Sequence, residues 1–374
     1  EIYTLSLHDA LPISLLLSSP GWSIPGSSTP VRSAVLLKIQ KKLEKNHNEW
    51  IIDEITRIET SDTSFIKVEV LKNGVEENLF FTETGKYYKM KNLTSGEPWT
   101  ADCLKSNSFH QQQEYDVTNP STIIEMPELL KEISGISVVD DSTVFCEQDE
   151  LGVVFRLNLK DNSVSIVGRF TDLGDFEDVQ TIQNNVYVLR SDGALLYFDY
   201  TAEEIHVQEK MLKIPCLNME GLCYNKTDHY LYIACKDIPF EKYNTNFENR
   251  YVYKVNPSDY TVQPYLQVDQ NEIRDFIDSH YNIDLSLKPI LQPSALAFHP
   301  QSNFLYVLSA DNRLIAVYDE NDKLCNVLLL PPEEYYKPEG IDFMPNGDLL
   351  ISSEGMKKGY LQGQVSVIKP KQND

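Results

Sequence analysis

Two hydrophobic periods divide the chain. In AVLLKIQKKLEK, within residues 31–92, Val35, Leu36, Ile39 and Leu43 recur at helical spacing with lysines on the other face. Three alternating stretches follow, EWIIDEITRIE, SFIKVEVLKNG and EENLFFTETGKYYKM, with Asn73-Gly74 and Thr84-Gly85 marking the turns. The expected unit is a small α+β domain of one helix on an antiparallel meander. Residues 93–118, with SGEP, HQQQ and TNP, read as a polar linker. From residue 119 to about 370 the helical period almost vanishes, and short strand patterns succeed one another with turn residues between them.

This second region repeats a phrase. Aligned on one motif position, it reads EISGISV at Ser134, DFEDVQT at Glu177, NMEGLCY at Glu220, QPSALAF at Ser294 and KPEGIDF at Glu339, at intervals of 43, 43, 74 and 45 residues. A second phrase follows each about a dozen residues on: CEQDELG, LRSDGAL, ACKDIPF, LSADNRL and SSEGMKKG. Repeats in the forties with four short strands apiece predict propeller blades. The long interval holds one blade plus an insertion, NEIRDFIDSHY, whose Ile273, Phe276, Ile277 and Tyr281 share a helical face. The last repeat supplies only three strands. STIIEM (Ser121 to Met126), just ahead of the first repeat, is expected as its fourth, closing the ring and removing two sheet edges. The expected fold is mainly β, a five-bladed β-propeller, with six blades as the alternative.

Antiparallel pairing places the start of a first strand and the end of a second strand on the same face. Ser134, Glu177, Glu220, Ser294 and Glu339 should therefore ring one mouth of the central channel. A second ring should hold Glu147, Asp149, Arg190, Asp192, Lys236, Asp311 and Glu354. The glycine after the motif position permits a tight turn or close approach. Converging glutamates must gain a counter-charge, stay hydrated or take up protons. In one arrangement Arg190 and Lys236 lean inward. In another a hard cation, calcium, sits on the axis among Glu177, Asp178, Glu220 and Glu339. Histidine and thiol are missing from the ring, which disfavours zinc and copper. The plainer alternative is a solvated, internally paired mouth. GDFED (Gly174 to Asp178) reads as a turn before a strand, with ligation as its rival. There is no G-x-S-x-G elbow, Walker loop or paired-His motif. His299, in AFHPQSN, is expected to serve a turn.

Charge narrows the partners. Acids outnumber bases 56 to 33, a net −23 that repels phosphate backbones and anionic lipid, so no nucleic-acid partner is expected. No segment is long and apolar enough to span a bilayer. Six cysteines without a CxxC pair argue against zinc. A Cys223–Cys235 bridge between neighbouring strands is one reading, and buried thiols are the preferred one. Asn92 and Asn225 head glycan-acceptor triplets. Residues 1–30 have no basic n-region, and TLSLHDALPIS resembles translated sequencing-adaptor read-through. They are expected to be a non-native or disordered leader, with any export signal missing.

The ordered motifs LLKEISGISVVDDSTVFCEQDELGVVFRLNL, GDFEDVQTIQNNVYVLRSDGALLYF, NMEGLCYN, QPSALAFHPQSNFLYVLSA and KPEGIDFMPNGDLLISSEG are similar to those of the SdiA-regulated, or YjiK-like, family. These are bacterial envelope-associated β-propellers, some linked to calcium response. The resemblance covers residues from about 120 to 370. It implies a propeller in an exported or membrane-associated setting: periplasmic, outer-membrane lipoprotein or membrane-anchored. It supplies no reaction. Ser-Ala in QPSALAF departs from the Glu-Gly of other repeats and lowers the acid count on that side. Residues 31–92 more faintly resemble PepSY-like domains. The expected function is a non-enzymatic cell-envelope propeller that binds a calcium ion, a small ligand or a protein partner at the mouth. The alternative is a calcium-dependent hydrolase of lactones or phosphate esters, similar to gluconolactonase and paraoxonase propellers, which would need a base or nucleophile beside its metal.

Overall fold

The computed structural model describes residues 3–6, 38–39, 41, 51–59, 64–72, 75–82, 84 and 87–88 of a first unit. It describes residues 99–371 of a second, save 217, 237–249, 284–290 and 357–360. The units divide after Gly96.

In the first unit Ile51–Glu59, Ser64–Lys72 and Val75–Thr82 form the expected meander, which Tyr87–Tyr88 extends. Lys72 faces Val75 across Asn73-Gly74, so the hairpin turns in two residues. Ile66, Val68, Leu79 and Phe81 point into its core. Tyr3–Ser6, inside the stretch expected as a leader, is instead an edge strand on Ile51–Glu59. Lys38, Ile39 and Lys41 are helical and Ile39 is buried. The rest of the expected helix and leader, and Asn92, lie outside the described residues.

The second unit is a five-bladed propeller of four-stranded antiparallel sheets. The first strands of the blades are Ile133–Asp140, Phe176–Ile182, Met219–Asn225, Ala295–Phe298 and Lys337–Phe343. Each touches the next, and the fifth touches the first, so the ring is closed. Thr122–Glu125 pairs antiparallel with Gln364–Ile368 as the outer strand of blade five, as its sequence led us to expect. Five apolar cores fill the five junctions between blades. Second strands such as Tyr230–Cys235 and Leu305–Ser309 are sandwiched between blades, so they read as near-continuous apolar runs rather than alternating ones.

The insertion forms the helix Gln270–Tyr281, N-capped by Asp269 and ended by Asn282 in the left-handed region (φ 57°). Its Ile273, Ile277 and Tyr281 enter the core between blades three and four, with Phe276 packed against it. The second half of the expected linker behaves differently from its polar texture. Ala101–Ser106 and Ser108–Gln111 are helical. Trp99, Tyr115 and Val117 are buried in blade junctions, where Trp99 Nε1 donates to Leu330 O at 2.9 Å. Three apolar side chains in a polar stretch suffice to fasten it to the disc. His299 serves its turn: Nδ1 lies 3.1 Å from the Ser302 N–H, and Nε2 lies 3.0 Å from the Tyr115 hydroxyl, which donates to Gly347 O. Asn225 is buried and accepts from the Thr227 N–H at 2.7 Å, as a turn residue does.

The cysteines depart from the bridge reading in its partner and from the thiol reading at Cys235. Cys235 is bridged to Cys216, not to Cys223. The register explains why: Cys223 lies opposite Tyr232, three residues from Cys235, whereas Met219 lies opposite Cys235. The loop before the strand then brings Cys216 to a Cα separation of 5.8 Å, within bridging range. Cys146 and Cys223 are buried thiols, as preferred from sequence, and Cys103 and Cys325 are exposed.

Candidate functional site

Neighbouring first strands approach one another without pairing in a sheet, so their channel-facing backbone groups need side-chain partners. Polar residues of the repeats supply them. Asp178 accepts from Val179 N at 2.8 Å and from Leu222 N of the next blade at 2.6 Å. Asp342 does the same for Phe343 N and Val138 N. Ser137 Oγ accepts from Thr181 N, and Gln180 Oε1 from Tyr224 N. The glycine after the motif position is what allows this closeness. A Cβ on Gly135 would stand 2.4 Å from Asp178 Oδ1, and one on Gly340 2.6 Å from Ser134 O.

Ser134 and Ser294 serve the same frame. Ser134 Oγ donates to Glu177 O at 2.9 Å, and Ser294 Oγ accepts from Ala310 N at 3.1 Å. Burial pushes the Asp342 carboxyl up to about 6, while its two N–H donors pull the other way. Burial raises Asp178 well above the carboxylate range against the same kind of donors.

Above this frame the acids converge. Glu220 and Glu339 are buried and Glu177 is half-buried. Glu220 Oε1 lies 2.7 Å from Lys236 Nζ and 2.8 Å from Asn218 Nδ2. Lys337 Nζ bridges Glu339 Oε1 at 3.3 Å and Glu354 Oε1 at 3.0 Å. Burial raises Glu177 well above its ordinary value, and Glu220, Asp175 and Glu339 reinforce the shift against Lys236. Burial also raises Glu220, to about 8, with Lys236 pulling it down and Glu339 and Asp311 pushing it up. Glu147 is fully buried and accepts from Gly135 N at 2.7 Å. Burial drives it upward, aided by Asp178, Asp149 and Glu339. Burial opposes the Lys236 ammonium, yet Glu220, Asp311, Glu339 and Glu177 outweigh it and hold Lys236 firmly charged.

The expected rings are thus partly redistributed. Glu147, Glu177, Glu220, Lys236, Asp311 and Glu339 act on one another at one mouth. Glu354 joins them through Lys337. Arg190 does not lean inward: it forms a two-point pair with Asp192 at 2.9 and 3.0 Å and reaches Glu209. Asp149 accepts from the Gln148 amide at 2.7 Å. Lys337 and Asn218 were missed. Both stand two residues before the motif position, where every repeat carries a polar residue: Glu132, Asp175, Asn218, Gln292 and Lys337. That column was the available signal.

The donor set suits calcium poorly. Asp178 is spent on two backbone N–H groups, and Glu220 and Glu339 each hold an ammonium. Among the described residues no three His, Cys, Asp or Glu side chains gather to hold a metal ion.

The sequence profile of the SdiA-regulated family matches residues 108–357, which span all five first strands. The chain belongs to the SdiA-regulated family. No curated protein matches it. Among solved structures, Myxococcus xanthus glutaminyl cyclase is similar at 11% identity and a TM-score of 0.46, over 68% of this chain and 97% of that one. A Xanthomonas campestris gluconolactonase is similar at 14% and 0.41, over 66% and 80%. A Staphylococcus aureus virginiamycin B lyase is similar at 13% and 0.35, over 65% and 72%. The blade count of this SdiA-regulated propeller rests on the strand pairing above.

Proposed function

We propose that this SdiA-regulated propeller is a non-enzymatic binding protein of the cell envelope, taking a small ligand with a positively charged nitrogen at the acid-rich mouth. The observation that carries the reading is the convergence of Glu177, Glu220, Asp311 and Glu339, from four blades, on a mouth that also holds Lys236. Glu220 and Glu339 already hold ammonium groups, which leaves Glu177 and Asp311 to meet an entering cation, and such a cation favours the ionised form of Glu177 that burial opposes. The setting agrees with the Cys216–Cys235 bridge, which persists in oxidising compartments. No helix among the described residues is long and apolar enough to cross a membrane.

The test is thermal melting at low salt with putrescine, choline and arginine amide, against acetate and phosphate as anionic controls. A ligand that binds the folded form raises the melting temperature with concentration. The cations should do so in the wild type and not in Glu177→Gln. A shift with the anions alone, or with none of the five, refutes the reading. A panel of esters, lactones and phosphate esters separates the hydrolase alternative: turnover that vanishes in Glu339→Gln would overturn the non-enzymatic assignment.

A further inference from the structure

We infer that the ammonium of Lys236 is the resident axial cation of this propeller, a covalently tethered occupant of the place where a metal would otherwise gather the glutamates. The inference holds whatever ligand the mouth takes.

Three observations carry it. The first is position. Nζ lies 2.7 Å from Glu220 Oε1, and the carboxylates acting on it come from blades two, three, four and five. A charge that acids of four blades reach together stands near the axis. The second is burial: the Lys236 side chain is 14% exposed and that of Glu220 5%. A buried carboxylate set without a counter-charge is strongly disfavoured, so the cation is part of the folded structure.

The third is fixation of the backbone that carries the ammonium. Lys236 N donates to Asn218 O at 2.9 Å, and the buried Arg250 donates through Nε to Lys236 O. The preceding residue, Cys235, is bridged to Cys216, in the loop that also presents Asn218. Asn218 in turn donates to Glu220. The bridge, the amide and the ion pair form one small closed assembly that sets where the ammonium stands. A surface lysine that merely drifts over an acidic patch has no such mounting.

The experiment compares wild type, Lys236→Ala, Lys236→Arg and Lys236→Met. Wild-type melting should be the same in excess EDTA and in millimolar calcium. Lys236→Ala should melt roughly 10 °C lower, since removing one partner of a buried pair leaves the others uncompensated. n-Propylammonium, which replaces the atoms beyond Cβ, should restore much of that loss, and n-propanol should not. Where Lys236→Ala does not fold, Lys236→Arg should melt near wild type and Lys236→Met well below it. The melting point of Lys236→Met should climb more steeply than the wild type's between pH 8 and pH 5, as Glu177 and Glu220 take up protons in place of the lost ammonium. A wild-type melting point that rises with calcium, equal rescue by propanol, or matching pH profiles for wild type and Lys236→Met would each overturn the inference.

Discussion

Removing the Cys216–Cys235 bridge separates its contribution from ordinary core packing. The bridge closes a loop across a separation of 19 residues. Chain entropy for a loop of that length is worth about 3 kcal/mol. In a unit of this size that is roughly 6–10 °C of melting temperature. Both sulfurs are buried, Cys235 completely, so Cys216→Ala/Cys235→Ala should lose at least this much. Wild-type protein held in reductant should lose a comparable amount, and Cys223→Ala should stay responsive to reductant because its thiol is not in the bridge. The assay is calorimetric melting with and without reductant, paired with a thiol count in denaturant. Cys103, Cys146, Cys223 and Cys325 should titrate before reduction, and all six cysteines after it. Six reactive thiols before reduction, a peptide map joining Cys223 to Cys235, or a double variant that melts with the wild type would refute the reasoning.

Further expectations rest on single residues. Asp178→Ala orphans the buried N–H groups of Val179 and Leu222 and should cost about 3 kcal/mol in urea denaturation; a loss of a few tenths would show that water satisfies both. Folded-state carboxyls raised by burial, Glu220 to about 8 and Asp342 to about 6, hold protons that the unfolded chain has already released. Their contribution is fully present below about pH 4 and is lost as pH rises through about 6 and then 8, at ~1.4 kcal/mol per pH unit for each group. Urea midpoints should therefore be higher at pH 5 than at pH 8, and a rise toward pH 8 contradicts the assignment. Ile124→Asp places a charge at a buried position of the strand that completes blade five. It should destabilise the propeller by several kcal/mol, while Ile123→Asp, at an exposed neighbour, should be nearly neutral.

Blade number and ring closure were legible because they are written locally. Each repeat carries its own strands, and Thr122–Glu125 was the stretch left over with the right pattern. The helix Gln270–Tyr281 was legible because one face alone is apolar. The fastening of residues 99–118 was not. Trp99, Tyr115 and Val117 are separated by polar residues and declare themselves only through partners such as Leu330 and Gly347, more than two hundred residues away. The bridge failed for a related reason. Spacing offered Cys223 and Cys235 as strand neighbours, but the pair between Met219 and Cys235 sets Cys223 three residues out of step.

The mouth shows why a repeat locates a site without stating its charge balance. Alignment places the motif acids on one face because backbone pairing is the same in every blade. Counter-charge obeys no such rule. Arg190 and Lys236 were equally good candidates to neutralise the glutamates, yet they stand one residue apart in their repeats: Arg190 lies opposite Phe176 as Cys235 lies opposite Met219, and Ser191 takes the place of Lys236, its N–H meeting Asp175 O as that of Lys236 meets Asn218 O. Arg190 has Asp192 two residues on, in a geometry that satisfies two of its donors at once, and Glu209 beside it, so it stays outside. Lys236 is anchored by its own backbone beside Glu220 and is drawn inward. Two causes are therefore open to test, the one-residue offset, which turns successive strand side chains to opposite sides, and short-range competition for each cation. Lys337 enters from a column two residues upstream and takes up Glu339 and Glu354 together. A swap therefore distinguishes competition from repeat position. Asp192→Asn releases Arg190 from its strongest partner, and Glu209→Gln removes the other. If competition decides, the double variant should let Arg190 reach Glu177, a mouth acid of its own blade with no ion pair among the described residues. The wild-type response to putrescine should then shrink. An unchanged response would mean that the position of the guanidinium is fixed by the blade itself.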